Sequence, residues 1–263
     1  MLEDLISFDL CGKTAHFRKF YSNSSALTHT IPPRTTILGI IAAIIGEAKD
    51  TYYDSLDVLL IGVQSITRGR KIFQKFNYLK IGDSERGNFD LYAGIADNRT
   101  QTSVELIIPD NIRNTDLCYR IFVGTENLKD EKYLKLKDSL QNGYCEYGIS
   151  LGSAHLLGYI TNYQNHKNFS KLVNENTISV SSAILVSKVL RILSKDINLE
   201  QDIFPLRMKI NSTSSDKNIT RIATDVQPML FSLDGNCFEV ELREKENIYT
   251  VKYNDLMINI ALI

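Results

Sequence analysis

Between residues 10 and 46 the chain carries Lys13, Arg18, Lys19 and Arg34, with His16 and His29 among them, and no Asp or Glu. A second acid-free window, 58–82, holds Arg68, Arg70, Lys71, Lys75 and Lys80 interleaved with Phe73, Phe76 and Tyr78. The whole chain is nearly neutral, with 30 Lys and Arg against 31 Asp and Glu; setting the nine windowed cations aside leaves 21 basic against 31 acidic residues. Positive charge is therefore local. Such a footprint suits a polyanion, because Lys and Arg contacts to phosphate supply much of the affinity for nucleic acid. Cations alternating with aromatic rings suit single strands in particular, the rings stacking on bases while the cations neutralise the backbone. Two plainer arrangements give the same pattern: a buried helix in the first window, where acids are scarce anyway, and an exposed two-faced hairpin in the second.

Other chemistries find less support. Cys11, Cys118, Cys145 and Cys237 are widely spaced without a C-x-x-C and read as free core thiols. His16, His29, His155 and His166 show no paired metal-ligand spacing, so neither a metal nor a cofactor is expected. Metal-free RNA cleavage draws its general base and acid from His, Lys and Tyr. His16, Tyr21 and His29 are the first-window residues that can be assembled for it.

The elements that must position these residues follow from hydrophobic patterning. With 263 residues, 43% hydrophobic and 23% charged, the chain reads as one elaborated domain or two small ones. Its longest apolar run, 37–46, is half of the roughly 20 residues a membrane span needs. The opening Glu3 and Asp4 do not read as a signal peptide, which sets the expectation of a cytoplasmic protein. A first strand over 5–10 leads into a polar loop, 12–31, that ends at Pro32-Pro33. The apolar run after it reads as a core helix, capped by Thr35 or Thr36 and closed by Gly46. Arg34 and the unpaired amides of that helix start would form a phosphate cradle. A short helix ends at 53–57, a strand covers 58–65, and 66–101 reads as a hairpin leaving the core. Strands at 104–108 and 117–123, a helix at 128–140, and a glycine-containing turn at 148–158 entering a strand at Tyr159 follow. Strand, helix, strand, strand, helix, strand is the ferredoxin-like plan. From about residue 171 the chain is mainly β, with loops at 211–218 and 234–236, so the division expected is 1–170 and 171–263.

Residues 7–46, SFDLCGKTAHFRKFYSNSSALTHTIPPRTTILGIIAAIIG, resemble the N-terminal signature of the fifth CRISPR-associated (Cas) protein family, the subunit that caps the crRNA 5′ end in type I Cascade complexes. Gly12, Ala15, His16, Phe17, Arg18, Thr28, Pro32, Pro33, Arg34, Thr35, Gly39 and Gly46 are similar to the family pattern in type and spacing. Residues 104–123 resemble the family's strand pair, and Leu151-Gly152-Ser153 resembles its glycine-containing loop. The spelling AHFRK with PPRTT is most similar to the type I-B branch, while Cys11 departs from the Trp common in relatives.

The resemblance implies an α+β fold: a ferredoxin-like (RRM-type) domain of the RAMP superfamily, with a long β-hairpin thumb inserted at about 66–101 and a mainly β C-terminal part. It implies a non-catalytic subunit whose partners are crRNA, the Cascade backbone subunit gripped by the thumb, the large subunit, and target DNA only as part of the complex, with no membrane. The RNA-binding candidates are His16, Arg18, Lys19, Thr28, Arg34 and Thr35 around the first loop, Arg70, Lys71 and Lys75 on the hairpin, and Ser153. His16 can touch a phosphate or a base, or simply pack; Thr35 can cap or donate. The hairpin cations can face crRNA or the target strand, or keep the hairpin soluble. Some type I-C relatives cut precursor crRNA with a Lys-His neighbour pair and a Tyr; this chain has no Lys-His dipeptide, and His166-Lys167 is reversed. Binding without cleavage is the expectation. A metal-independent endoribonuclease is the alternative, and a standalone ferredoxin-like enzyme binding a phosphorylated metabolite is a rival of another class.

Overall fold

A computed structural model of the chain describes residues 1–22, 25–79, 99–173, 175–211 and 220–263. β1 (Asp4–Gly12) is buried at every position after its first, as a strand is when both faces of its sheet are covered. A two-residue ladder, β2 (Phe17–Arg18) with β3 (Thr28–His29), organises the loop that follows. α1 (Arg34–Ile45) and the single turn α2 (Tyr52–Ser55) lead to β4 (Leu60–Ser65). β5 (Gly69–Leu79) and β6 (Arg99–Pro109) pair antiparallel as the arms of a long hairpin. β7 (Leu117–Thr125), α3 (Glu131–Gln141) and β8 (Gly158–His166) come next. Four of these strands form one antiparallel sheet in the order β4-β7-β1-β8. Outside the hairpin the sheet and its two longer helices therefore run strand, helix, strand, strand, helix, strand.

α1 carries no side-chain cap; its first amides, at Thr36 and Ile37, bond to the Pro33 carbonyl. Neither Thr35 nor Thr36 caps it, contrary to the sequence expectation. Packing makes up the difference: a cap contributes about 1 kcal/mol, whereas burying each of Ile37, Leu38, Ile41, Ile44 and Ile45 contributes about 1.5–3 kcal/mol. Gly46 ends the helix at φ 76°, its amide on the Ala42 carbonyl. α3 starts conventionally, the Asp130 carboxylate accepting from the amides of Lys132 and Tyr133.

Three sequence readings change. The expected separate strand at 104–108 is the inner part of β6, so the hairpin's return arm and that strand are one element. Cys11 and Cys118 are not free thiols: they sit opposite one another on β1 and β7, Cα atoms 4.2 Å apart, and are joined in a disulfide. The long first loop is no open excursion, because Ala15 bridges to Ile107 and Ala26 to Val104, binding it along β6. The outer part of the expected hairpin, with Lys80, and most of the loop expected at 211–218 lie outside the described residues.

Later elements are strands apart from one 3-10 turn at Val186–Lys188. β9 (Phe169–Lys171), β10 (Thr177–Val180), β11 (Ile184–Leu185) and β12 (Val189–Ile192) are short; β13 (Leu199–Asn211) and β14 (Thr220–Ser232) make a second long hairpin; β15 (Phe238–Leu242), β16 (Ile248–Tyr253) and β17 (Leu256–Ala261) end the chain. They form a six-stranded sheet, β12-β15-β10-β17-β16-β9, and a three-stranded one, β11-β14-β13. The main core joins both parts, Phe204, Leu206, Met229 and Phe231 packing in one cluster with α1 and the first sheet. Ile263 exchanges main-chain bonds with Ile61 at 2.8 and 2.9 Å, so the end of the chain covers the outer edge of β4. No helix among the described residues is long and apolar enough to cross a membrane.

Candidate nucleic-acid interface

The first loop is set by a chain of small, specific contacts. On β2 the alternation of a strand buries Phe17 and exposes Arg18. Thr28, opposite Arg18, is fully buried: its hydroxyl donates to the His29 carbonyl and accepts from the Phe17 amide at 2.8 Å, while its amide donates to the Glu105 carboxylate. Thr28 is thus a pin inside the loop, with no exposed surface. His16 is held from two sides, its amide donating to the Leu151 carbonyl at 2.9 Å and its ring Nδ1 lying 2.7 Å from the Glu105 carbonyl. Gly152 presses on the same residue at φ 97°; a Cβ there would sit 1.9 Å from the His16 carbonyl oxygen. Only glycine fits both that conformation and that approach.

These elements wall a cleft of about 1020 Å³. Its floor and sides come from the first loop, the start of α1, the glycine turn with Ser150 and Ser153, the hairpin at Tyr78, Thr102 and Val104, and the second hairpin at Pro205, Met208 and Arg221. His16, Arg18, Lys19 and Arg221 supply its basic groups, and Phe17, Phe20, Tyr52, Tyr53 and Tyr78 its aromatic ones; among the described residues no carboxylate lines it. Of the sequence candidates, His16, Arg18, Lys19, Thr35 and Ser153 meet here. Tyr52, Tyr53 and Arg221 were not foreseen. Tyr52 lies against Gly39, where a Cβ would come 3.0 Å from its hydroxyl, and its ring sits 4.4 Å from that of Tyr53. Arg221 arrives from far along the chain, held by Asp50 at 2.7 Å, and nothing in its neighbours marks it.

The cations are not equally available. Arg18 is exposed, and the described residues engage it through one bond, Nη2 to the Ser22 carbonyl at 3.2 Å. Lys19 places Nζ 2.8 Å from Asp202, whose same oxygen accepts from His29 Nδ1 at 2.9 Å. Burial pushes the Asp202 carboxyl pKa up, but bonds from His29, Lys19 and the Ile203 amide outweigh it and hold the group well below the usual carboxylate value. His29 is fully buried and stacked on Phe204, centroids 4.6 Å apart.

Arg34 corrects the phosphate-cradle expectation. Its guanidinium is buried, and all five N–H groups are taken: Nη1 by the Asp57 carboxylate at 2.7 Å and the Leu206 carbonyl at 2.9 Å, Nη2 by the Asp57 and Leu59 carbonyls, and Nε by the Ile263 carbonyl. It ties α1, β13 and the chain end together and has no donor left for a ligand. Thr35 is buried at the cleft wall. Arg70, Lys71 and Lys75 are exposed on β5 but do not line the cleft; Lys71 bonds Glu200 at 3.1 Å, which fastens the hairpin to β13. Lys13 pairs with Asp116 and Arg68 with Asp234. Among the described residues, no three His, Cys, Asp or Glu side chains converge as metal ligands would.

No protein-family model and no curated protein matches the chain. Among solved structures it is similar to a CRISPR protein from Archaeoglobus fulgidus, with a TM-score of 0.53 and 14% identity over 98% of this chain and 100% of that one. A chain of a CRISPR RNA-guided surveillance complex also aligns, with a TM-score of 0.49 and 14% identity over 92% of each. The chain therefore shares the fold of the Archaeoglobus protein along nearly its entire length.

Proposed function

We propose that the chain is a non-catalytic subunit of a type I, I-B-like CRISPR Cascade complex, holding the 5′ handle of crRNA as a single strand in the cleft. The observation that carries this reading is the lining: basic and aromatic side chains from four separate segments, without a carboxylate among the described residues, which is what backbone neutralisation with base stacking requires. The signature at residues 7–46 and a fold shared with a protein described as a CRISPR protein support it. In this reading the four-stranded sheet with α1 and α3 is the ferredoxin-like RAMP core. The β5/β6 hairpin is the thumb that meets the backbone subunit, with Phe73 and Lys75 exposed on it. The large subunit and target DNA join only in the assembled complex.

Binding is favoured over cleavage by the placement of the three groups considered as acid and base. His29 is sealed against Phe204, and the Tyr21 hydroxyl points to Asp202 at 3.4 Å, so His16 alone lines the cleft. The test incubates the purified chain with a repeat-containing transcript in EDTA. Retention of uncut RNA, weakened by Arg18→Glu, is the expected result. Cleavage lost on replacing His16 would overturn the non-catalytic reading, and no retention of RNA by the unaltered protein would overturn the function as a whole.

A further inference from the structure

His16 is oriented before any ligand arrives. Its Nδ1 lies 2.7 Å from the Glu105 carbonyl oxygen on β6. A carbonyl only accepts, so Nδ1 carries the hydrogen, and a neutral imidazole protonated there presents a lone pair at Nε2. The backbone cannot swing the ring away, because Leu151 holds the His16 amide and Gly152 sits against its carbonyl. The residue lines the cleft. Burial lowers the His16 pKa; the Glu105 carbonyl and carboxylate oppose this, Arg18 and His155 reinforce it, and the net shift is downward, so the ring is neutral at neutral pH.

We infer that His16 reads the bound strand as a hydrogen-bond acceptor, Nε2 taking a hydrogen from a ribose 2′-hydroxyl or a base N–H, and that it makes no phosphate contact. The inference rests on the RNA-binding reading above. A phosphate diester oxygen offers lone pairs alone, so it repels a neutral Nε2 and falls instead to Arg18, which is exposed and lines the same cleft. A 2′-hydroxyl is also the group that distinguishes RNA from DNA.

The experiment measures affinity at pH 7.5 for a repeat-derived 5′ RNA segment and for two series of it. One series carries a single 2′-deoxy nucleotide at successive positions; the other carries single base analogues that lack one N–H donor. One modification is expected to weaken binding by the unaltered protein by about tenfold, the scale of one hydrogen bond to a buried acceptor, and the series it belongs to tells sugar from base. His16→Gln, whose amide oxygen accepts, should stay within about threefold of the original, while His16→Phe and His16→Lys should lose about tenfold and become blind to that modification. If no single donor removal weakens the unaltered protein, or if His16→Lys binds as well as the original, the inference is wrong although the RNA-binding reading stands. If the unaltered protein binds none of these RNAs, both fall together. The modified-RNA series needs no variant, and a flat result in it refutes the inference even where a substitution unfolds the loop.

Discussion

Arg34 is the residue whose role the structure most plainly reassigns, and replacing it separates folding from binding. Arg34→Met keeps the apolar stem and removes all five donors. It strands the carbonyls of Asp57, Leu59, Leu206 and Ile263, which come from three separate segments. Breaking a buried charge pair by removing one partner costs about 3–5 kcal/mol. The Asp57 carboxylate is 30% exposed and keeps Arg207 at 3.0 Å, which places the loss at the low end, about 3 kcal/mol. At about 2–4 °C per kcal/mol for a chain of this size, the melting temperature should fall by about 6–12 °C. The assay is thermal unfolding followed by circular dichroism without RNA, with Arg18→Ala as the contrast. Arg18 is exposed, so its replacement should move stability by no more than about 0.5 kcal/mol while reducing RNA affinity. Arg34→Met with an unchanged melting temperature and lost RNA binding would refute the reasoning and return Arg34 to the ligand.

Two further outcomes follow from the charges. If Arg18 and Arg221 in the cleft, with Arg70 and Lys75 on the hairpin, are the cations that meet phosphate, the slope of log affinity against log salt should lie at about −1.5 to −3, at roughly 0.7 per contact, and Arg18→Glu should flatten it by at least that step; a slope steeper than about −5 would mean that nearly all nine acid-free-window cations contact phosphate. The Asp202 carboxyl, held below its ordinary value of 3.8 in the native protein, contributes stability that is complete above that value and drains as pH falls below it. Acid unfolding of Asp202→Asn should therefore lack this component, and the variant should be less stable than the original at neutral pH yet closer to it near pH 2.5. An unchanged gap between the two across that range would show that Asp202 is not held down by Lys19 and His29.

The chain order of strands and helices was legible because each element announces itself locally. β1 is apolar at Leu5, Ile6, Phe8 and Leu10, β4 continues the apolar run 58–63, α1 carries the apolar run 37–45 between Pro33 and Gly46, and α3 has its Asp130 cap. The cap of α1 was misread because Thr35 and Thr36 have the right chemistry for capping, but the Pro33 carbonyl takes the first amides and both threonines line the cleft. The separation of hairpin and core at 104–108 was misread for a related reason. β6 is apolar at Val104, Leu106 and Ile108 because its root packs on Leu156 and the first loop, so the inner half of a protruding arm carries the composition of a core strand. The disulfide depends on β1 and β7 pairing with Cys11 and Cys118 in register across 107 residues, which spacing in the chain does not reveal.

The candidate site was legible as a region and only partly as a set of residues, and the reason lies in where counter-ions come from. An acid-free stretch was read as charge awaiting a polyanion. Of its eight described cations, five find carboxylates from elsewhere in the chain: Lys13 with Asp116, Lys19 with Asp202, Arg34 with Asp57, Arg68 with Asp234 and Lys71 with Glu200. Local absence of acid is therefore equally the mark of long-range pairing, and here most of the charge is used to fasten the first loop and hairpin onto the later strands. What remains of these cations is Arg18 at the cleft, with Arg70 and Lys75 exposed on β5; the cleft adds a neutral His16 oriented by β6 and Arg221, itself paired with Asp50, from a hairpin about 200 residues further on. The pairs that remove cations from the ligand are the same ones that fix the loop's shape, so substituting Lys19 or Lys71 should disturb RNA binding through the geometry of His16 and Arg18 and leave the number of phosphate contacts, and hence the salt slope, unchanged.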